Sequence, residues 1–107
     1  FTGHYAPDIA TPKAKKFIAA YQAEYGEVPD DVAALTYDAF GLLFQAIQRA
    51  GKIDSREAVR NALANTPQYE GVTGTITFKE GSGDPIKTAV IIQIKDGQFK
   101  YLTSVAP

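Results

Sequence analysis

Residues Val32–Ala50 read VAALTYDAFGLLFQAIQRA and carry only two charges, Asp38 and Arg49. At helical spacing the stretch has two apolar stripes. Leu35, Ala39, Leu42, Ala46 and Ile47 form one, and Tyr37, Phe40, Phe44 and Ile47 form the other. A helix apolar over most of its circumference has to be buried on most sides. A third stripe of small and polar residues, Ala34, Asp38, Gly41, Gln45 and Gln48, puts Asp38 on the wet side, solvated or hydrogen-bonded at a surface. A chain of 107 residues offers little with which to cover such a helix. The expectation is a piece of a larger layered structure.

The neighbouring elements follow from their punctuation. Thr11-Pro12 reads as an N-cap and a first-turn proline, and Gly26 as a C-terminal cap, which predicts a helix over 12–25. Asp30 or Asp31 starts the second helix, and Gly51 ends it. Asp54-Ser55-Arg56-Glu57 resembles a capping box, with a helix over 55–65. Gly74–Phe78 alternates and is β-branched, so it reads as a strand. Thr88–Lys95 predicts a second strand, with Val90, Ile92 and Ile94 on one face. Asp96-Gly97 signals a hairpin, with a return strand over 98–103. Phe1–Tyr5 reads as a strand end, broken at Ala6-Pro7-Asp8. Helices first and a meander last would on their own be α+β.

Composition narrows the chemistry. The net charge is −1, with no basic field to hold a nucleic acid. There is no Cys, so thiol catalysis and disulfides are excluded, and the single His, His4, rules out a multi-His metal site within these residues. Polar residues interrupt the longest apolar run well short of a membrane span. The chain opens on Phe1 and holds no Met, so a longer precursor or a cut sequence is expected.

Candidate sites are few. His4 and Asp8 invite an acid–base reading, but a proline turn separates them and no second base is fixed nearby. Gly81-Ser82-Gly83 lacks the Lys-Ser/Thr ending of a phosphate loop and precedes a strand rather than a helix. Glu80 and Asp84 lack the spacing of a calcium loop. Tyr21, Tyr25, Tyr37 and Phe40 fall at core spacings and read as packing. Tyr5 sits beside a chain reversal, where a rigid amphipathic ring can line a cleft.

In order, HYAPD (4–8), AYQAEYGEVPD (20–30), AALTYDAFGLLFQAIQRAG (33–51), IDSREAVRNALANT (53–66) and EGVTGTITFKEGSGDPIKTAVIIQIKDGQFK (70–100) resemble the C-terminal part of periplasmic branched-chain amino acid binding proteins. These are the Leu/Ile/Val-type solute receptors of ABC importers. The resemblance covers essentially the whole chain. It implies an α/β fold of the type I periplasmic binding protein kind, here a fragment of a two-lobe protein: three helices followed by a β-strand and a β-hairpin. Residues 1–80 would supply mainly N-lobe helices and a strand, 81–87 a hinge-proximal loop and 88–107 C-lobe strands, with the N-terminal majority absent. It implies no enzyme activity, no cofactor and no metal. The implied partners are an amino-acid-like solute, an ABC permease in the membrane and the missing N-terminal portion, with no nucleic acid; the isolated piece is expected to self-associate. The implied location is periplasmic or extracellular, with a lipid anchor if Gram-positive. Most solute-clasping groups lie upstream in this family. His4 and Tyr5 are the ligand-side candidates here, because the crossover borders the cleft. Gly3, Ala6, Pro7, Asp84 and Pro85 are the hinge candidates. Two alternatives are a sensory or regulatory domain of the same fold and a self-associating interaction module.

Overall fold

A capping side chain starts each helix. The computed structural model describes residues Phe1–Pro107. Thr11 accepts the Ala14 amide at 3.2 Å, and α1 runs Pro12–Tyr25 to Gly26 at φ 75°. Asp30 accepts the Ala33 amide at 2.8 Å, and α2 runs Asp31–Ala50. Ser55 accepts the Ala58 amide at 3.2 Å, and α3 runs Arg56–Ala64. The cap is therefore Ser55 rather than Asp54. Glu57 falls one position short of the acid a capping box requires, so no box forms.

Six short strands make two separate antiparallel sheets. They are β1 (Thr2–Gly3), β2 (Tyr69–Gly71), β3 (Gly74–Phe78), β4 (Pro85–Ile86), β5 (Ala89–Lys95) and β6 (Gln98–Val105). One sheet has the order β2-β3-β4 and lies with the helices; the other has the order β1-β5-β6. Asp96 (φ 52°) and Gly97 (φ 72°) make the tight turn between β5 and β6, and Lys95 pairs with Gln98. The return strand reaches Val105, two residues past expectation, because its pairing with β5 continues through a bulge beside Ile91 and Ile92. Val90 and Ile92 are buried, whereas Ile94 is exposed where the hairpin projects beyond its cover.

Asp38 departs from expectation. It is 0 % exposed. Its carboxylate reaches the turn between β2 and β3, where Oδ1 accepts the Val72 amide at 2.8 Å. Oδ2 accepts the Thr73 amide at 2.9 Å and the Thr73 hydroxyl at 2.5 Å. The stripe of small and polar residues is wet only at its far end: Ala34 is buried with Asp38, while Gln45 and Gln48 are exposed. Small residues on this stripe let the turn approach the helix. A Cβ on Gly71 would sit 2.4 Å from Asp38 Oδ2, and one on Gly41 2.0 Å from the Tyr69 hydroxyl.

The two apolar stripes fare differently. Leu42 packs with Tyr69 and Ile76, against partly buried Leu63 and Phe78, and Ala46 is buried too, so α3 and the β2-β3-β4 sheet cover the middle of the first stripe; Ala39 stays exposed. Tyr37, Phe40 and Phe44 remain 51 %, 55 % and 59 % exposed. Tyr25 is exposed too, and Tyr21 half-buried. These rings pack on one another, as Phe17 on Tyr37 at 4.5 Å and Phe40 near Phe44 at 5.9 Å, and not into a core. The accessible surface is 7397 Å² for 11.5 kDa, against about 5800 Å² for a compact monomer of that mass. The radius of gyration is 15.4 Å, against about 13 Å for a compact domain. The chain is therefore more open than a compact domain of its mass, and large apolar side chains are among what it exposes.

Replacing Asp38 with Ala strands two buried amides and a hydroxyl. Asp38→Ala is expected to lower stability by about 3–5 kcal/mol, and Asp38→Asn by less, since one acceptor oxygen remains. Equilibrium denaturation of both variants measures this; a loss below about 1 kcal/mol for Asp38→Ala contradicts the anchoring role.

Candidate functional site

The chain passes between the two sheets twice. The first passage leaves β1, turns through a short 3-10 segment at Pro7–Ile9 and enters α1. The second leaves β4 at Ile86 and enters β5 at Ala89. Side chains at the first passage divide between the two bodies. Tyr5 inserts its ring among Ala14, Ala34 and Val72, on the helical side. Ala6, next along the chain, packs on Val90 and Ile92 of the other sheet. Extended backbone sends successive side chains to opposite faces, so neighbouring residues reach opposite bodies.

A cavity of about 160 Å³ lies where the passages meet, with His4, Tyr5, Thr11, Thr73 and Thr88 in its wall. The Tyr5 hydroxyl is buried there without a hydrogen-bond partner. Burial pushes this phenol up to about 12. His4 is exposed, and its amide donates to Asp31 Oδ1 at 3.3 Å. Lys87, in the second passage, donates its ammonium to the Thr73 carbonyl. Burial pushes this ammonium below its ordinary value, while Asp38 and Asp31 favour its charge.

The candidates from sequence separate here. His4 and Tyr5 lie together on the cavity. Asp8 does not join His4; its Oδ2 accepts the Tyr101 amide at 2.9 Å and ties the 3-10 segment to β6. Gly3 pairs with Val90 in β1, Ala6 packs on β5 and Pro7 opens the 3-10 segment. Pro85 pairs with Phe78 in β4, and the Asp84 carbonyl accepts the Lys79 amide at 2.8 Å. The Gly81-Ser82-Gly83 loop closes on itself, with Ser82 Oγ accepting the Asp84 amide at 3.0 Å. Asp31, Thr73 and Lys87 were not legible as site residues. Each is a single polar residue whose partners are far along the chain, and only the Gly71-Val72-Thr73-Gly74 turn offered a signal.

A second, open groove of about 760 Å³ runs between α1 and α2, lined by Phe17, Tyr21, Tyr37, Phe40 and Phe44. It is the uncovered aromatic face and carries few polar groups. No helix is long and apolar enough to cross a membrane.

The structure thus has two bodies joined by paired chain passages, with a small cavity between them whose wall mixes apolar side chains with His4 and three threonines. Residues 1–98 fit the family model described as periplasmic binding protein. The chain belongs to the periplasmic binding protein family. A leucine binding protein, LivK, from Thermotoga maritima is 38% identical, superposes with a TM-score of 0.89 and is matched by 100% of this chain over 30% of its own length. The branched-chain amino acid transporter substrate binding protein LivJ from Streptococcus pneumoniae, in complex with isoleucine, is 31% identical at a TM-score of 0.87, over 100% of this chain and 30% of its own. A solute binding protein of an ABC transporter from R. palustris, in complex with benzoate, is 22% identical at a TM-score of 0.85, over 99% and 29%. At that identity it speaks for the fold alone. Among curated protein sequences, none matches. The chain thus spans about 30% of the length of these solved relatives, and the family and its neighbours are solute-binding proteins, not enzymes.

Tyr5 yields a signed pH prediction. Burial resists its ionisation, so stability is undiminished by this group below pH 10, its ordinary value, and falls as pH rises from there through about 12. Tyr5→Phe is expected to remove this part of the alkaline loss. It should also raise stability below pH 10 by about 1 kcal/mol in the unliganded protein, because it deletes an unpartnered buried hydroxyl. Denaturant titrations below pH 10 and near pH 12 check both; identical alkaline slopes in the two proteins contradict the assignment.

Proposed function

We propose that the protein carrying these residues is the solute-binding component of an ABC importer. It holds an amino acid or related small molecule between two lobes, closes about a hinge and presents the solute to a membrane permease. The observation that carries this reading is the paired passage of the chain between two separate sheets around one small cavity. Solute touching both lobes only when they are closed shifts the open–closed equilibrium by its differential affinity. The lobe holding the three helices and β2–β4 corresponds to most of residues 1–80, residues 81–87 approach the hinge, and 88–107 belong with the second lobe, to which β1 also pairs. His4 and Tyr5 are the cleft-side residues in this reading: both line the cavity, His4 exposed and the Tyr5 ring seated in the helix-bearing lobe. Gly3, Ala6, Pro7, Asp84 and Pro85 flank the bending segments. The 38% identity to a leucine binding protein and the isoleucine complex of a second relative favour an aliphatic amino acid. The location that goes with this role is periplasmic or extracellular.

The aromatic groove between α1 and α2 is the seat of the rest of the helix-bearing lobe, since the relatives are more than three times as long as the matched region. The outer side of β6 adds an open sheet edge. The 107 residues alone are therefore expected to associate. Light scattering is expected to give oligomers for the 107 residues and a monomer for the full-length receptor. A stable, cooperatively unfolding monomer of the 107 residues contradicts this.

Isothermal titration of the full-length receptor with leucine, isoleucine, valine and benzoate tests the function. Saturable binding of an aliphatic amino acid in preference to benzoate is expected. Absence of binding to all four overturns the aliphatic assignment.

A further inference from the structure

Lys87 is the one side chain of the second passage that turns inward. Residues Gly81–Ile86 before it and Thr88 after it are exposed, and Lys87 is half-buried. A lysine in such a loop ordinarily extends its ammonium into water, since its stem is flexible and its charge strongly hydrated. Here the ammonium is directed onto the Thr73 carbonyl. The amide and hydroxyl of that same Thr73 are donated to Asp38. The turn is thus held by an anion on its N–H side and a cation on its C=O side. Asp31 and Asp38, seven positions apart on one face of α2, are the two carboxylates whose fields favour the Lys87 charge. Asp31 also accepts the His4 amide from the first passage. Both passages are therefore fastened to one face of one helix, the first through Asp31 and the second through Thr73 and Asp38.

We infer that Lys87 is a clasp that fixes the second passage to the helix-bearing lobe and so sets the resting geometry from which the two lobes close. It is a positioning residue and bonds the turn, not the solute. The inference rests on the solute-binding reading and adds a residue that controls it. Without the clasp the second passage gains rotational freedom, the open state spreads over more geometries, and the closure-competent fraction falls. Apparent affinity falls with that fraction.

The test uses the full-length receptor with one label at Gln48 on α2 and one at Lys100 on β6, both exposed. Inter-label distance distributions and solute titrations are compared for wild type, Lys87→Met and Lys87→Arg. Lys87→Met is expected to broaden the unliganded distribution and to weaken solute binding about fivefold to tenfold. Lys87→Arg is expected to restore both, because it keeps a donor and the charge. A Lys87→Met protein with lower thermal stability but a wild-type distribution and affinity overturns the clasp, as does failure of Lys87→Arg to restore the distribution. A wild-type distribution that ignores every solute overturns the solute-binding reading instead; the unliganded width of Lys87→Met still decides the clasp.

Discussion

The carboxylate of Asp38 is the constraint on which the other contacts depend. A single acid in the middle of α2 satisfies two amides and a hydroxyl of the turn at Val72–Thr73. A buried carboxylate without such donors would be strongly unfavourable, and a buried turn without an acceptor would leave amides stranded. Each therefore requires the other, and their meeting sets how close the β2-β3-β4 sheet comes to the helix. Gly71 and Gly41 follow as consequences, since a side chain at either would drive the turn or Tyr69 away. Tyr69 then reaches the Leu42 and Ile76 core.

In the proposed receptor, that platform is the body against which the hinge would bend. Tyr5 lodges its ring between α1, α2 and the same turn, while Ala6 holds to the other sheet. The first passage is tied to Asp31 and the second to Thr73, so both passages are fastened to the same body. The proposed closure of two bodies about short segments would need this arrangement, because a soft platform would absorb the motion. The apolar side of α2 that faces outward, with Tyr37, Phe40 and Phe44, serves another purpose. In the proposed receptor it is the face on which the remaining layers of the lobe would pack.

Local chemistry made much of this legible. Thr11-Pro12, Asp30, Gly26 and Gly51 bound the first two helices, and their bounds match because caps act over three or four residues. Asp96-Gly97 announced its hairpin for the same reason. Apart from the capping box at 54–57, where the cap falls one residue later than read, the misreadings involve partners distant in sequence. Asp38 lay on a stripe of small and polar residues, which usually means water, yet its donors stand 34 and 35 residues later. Small residues permit close approach as readily as they permit solvation, and periodicity does not distinguish the two. β2 and β4, at three and two residues, are too short to show alternation. The rings at core spacing are exposed because spacing reports that a face is apolar, not that its cover lies in the same 107 residues. Of the cavity, Tyr5 was visible through its place at a chain reversal and His4 only through the family resemblance; Lys87 was one cation in a turn-rich loop.

Amide hydrogen exchange of the full-length receptor, with and without bound solute, is the most direct measurement. The account predicts that the Val72 and Thr73 amides are strongly protected and unchanged by solute, while solute-dependent changes concentrate in 4–11 and 87–89. Loop-like exchange at Val72 and Thr73, or a change there as large as in the two passages, would contradict a fixed platform held by Asp38.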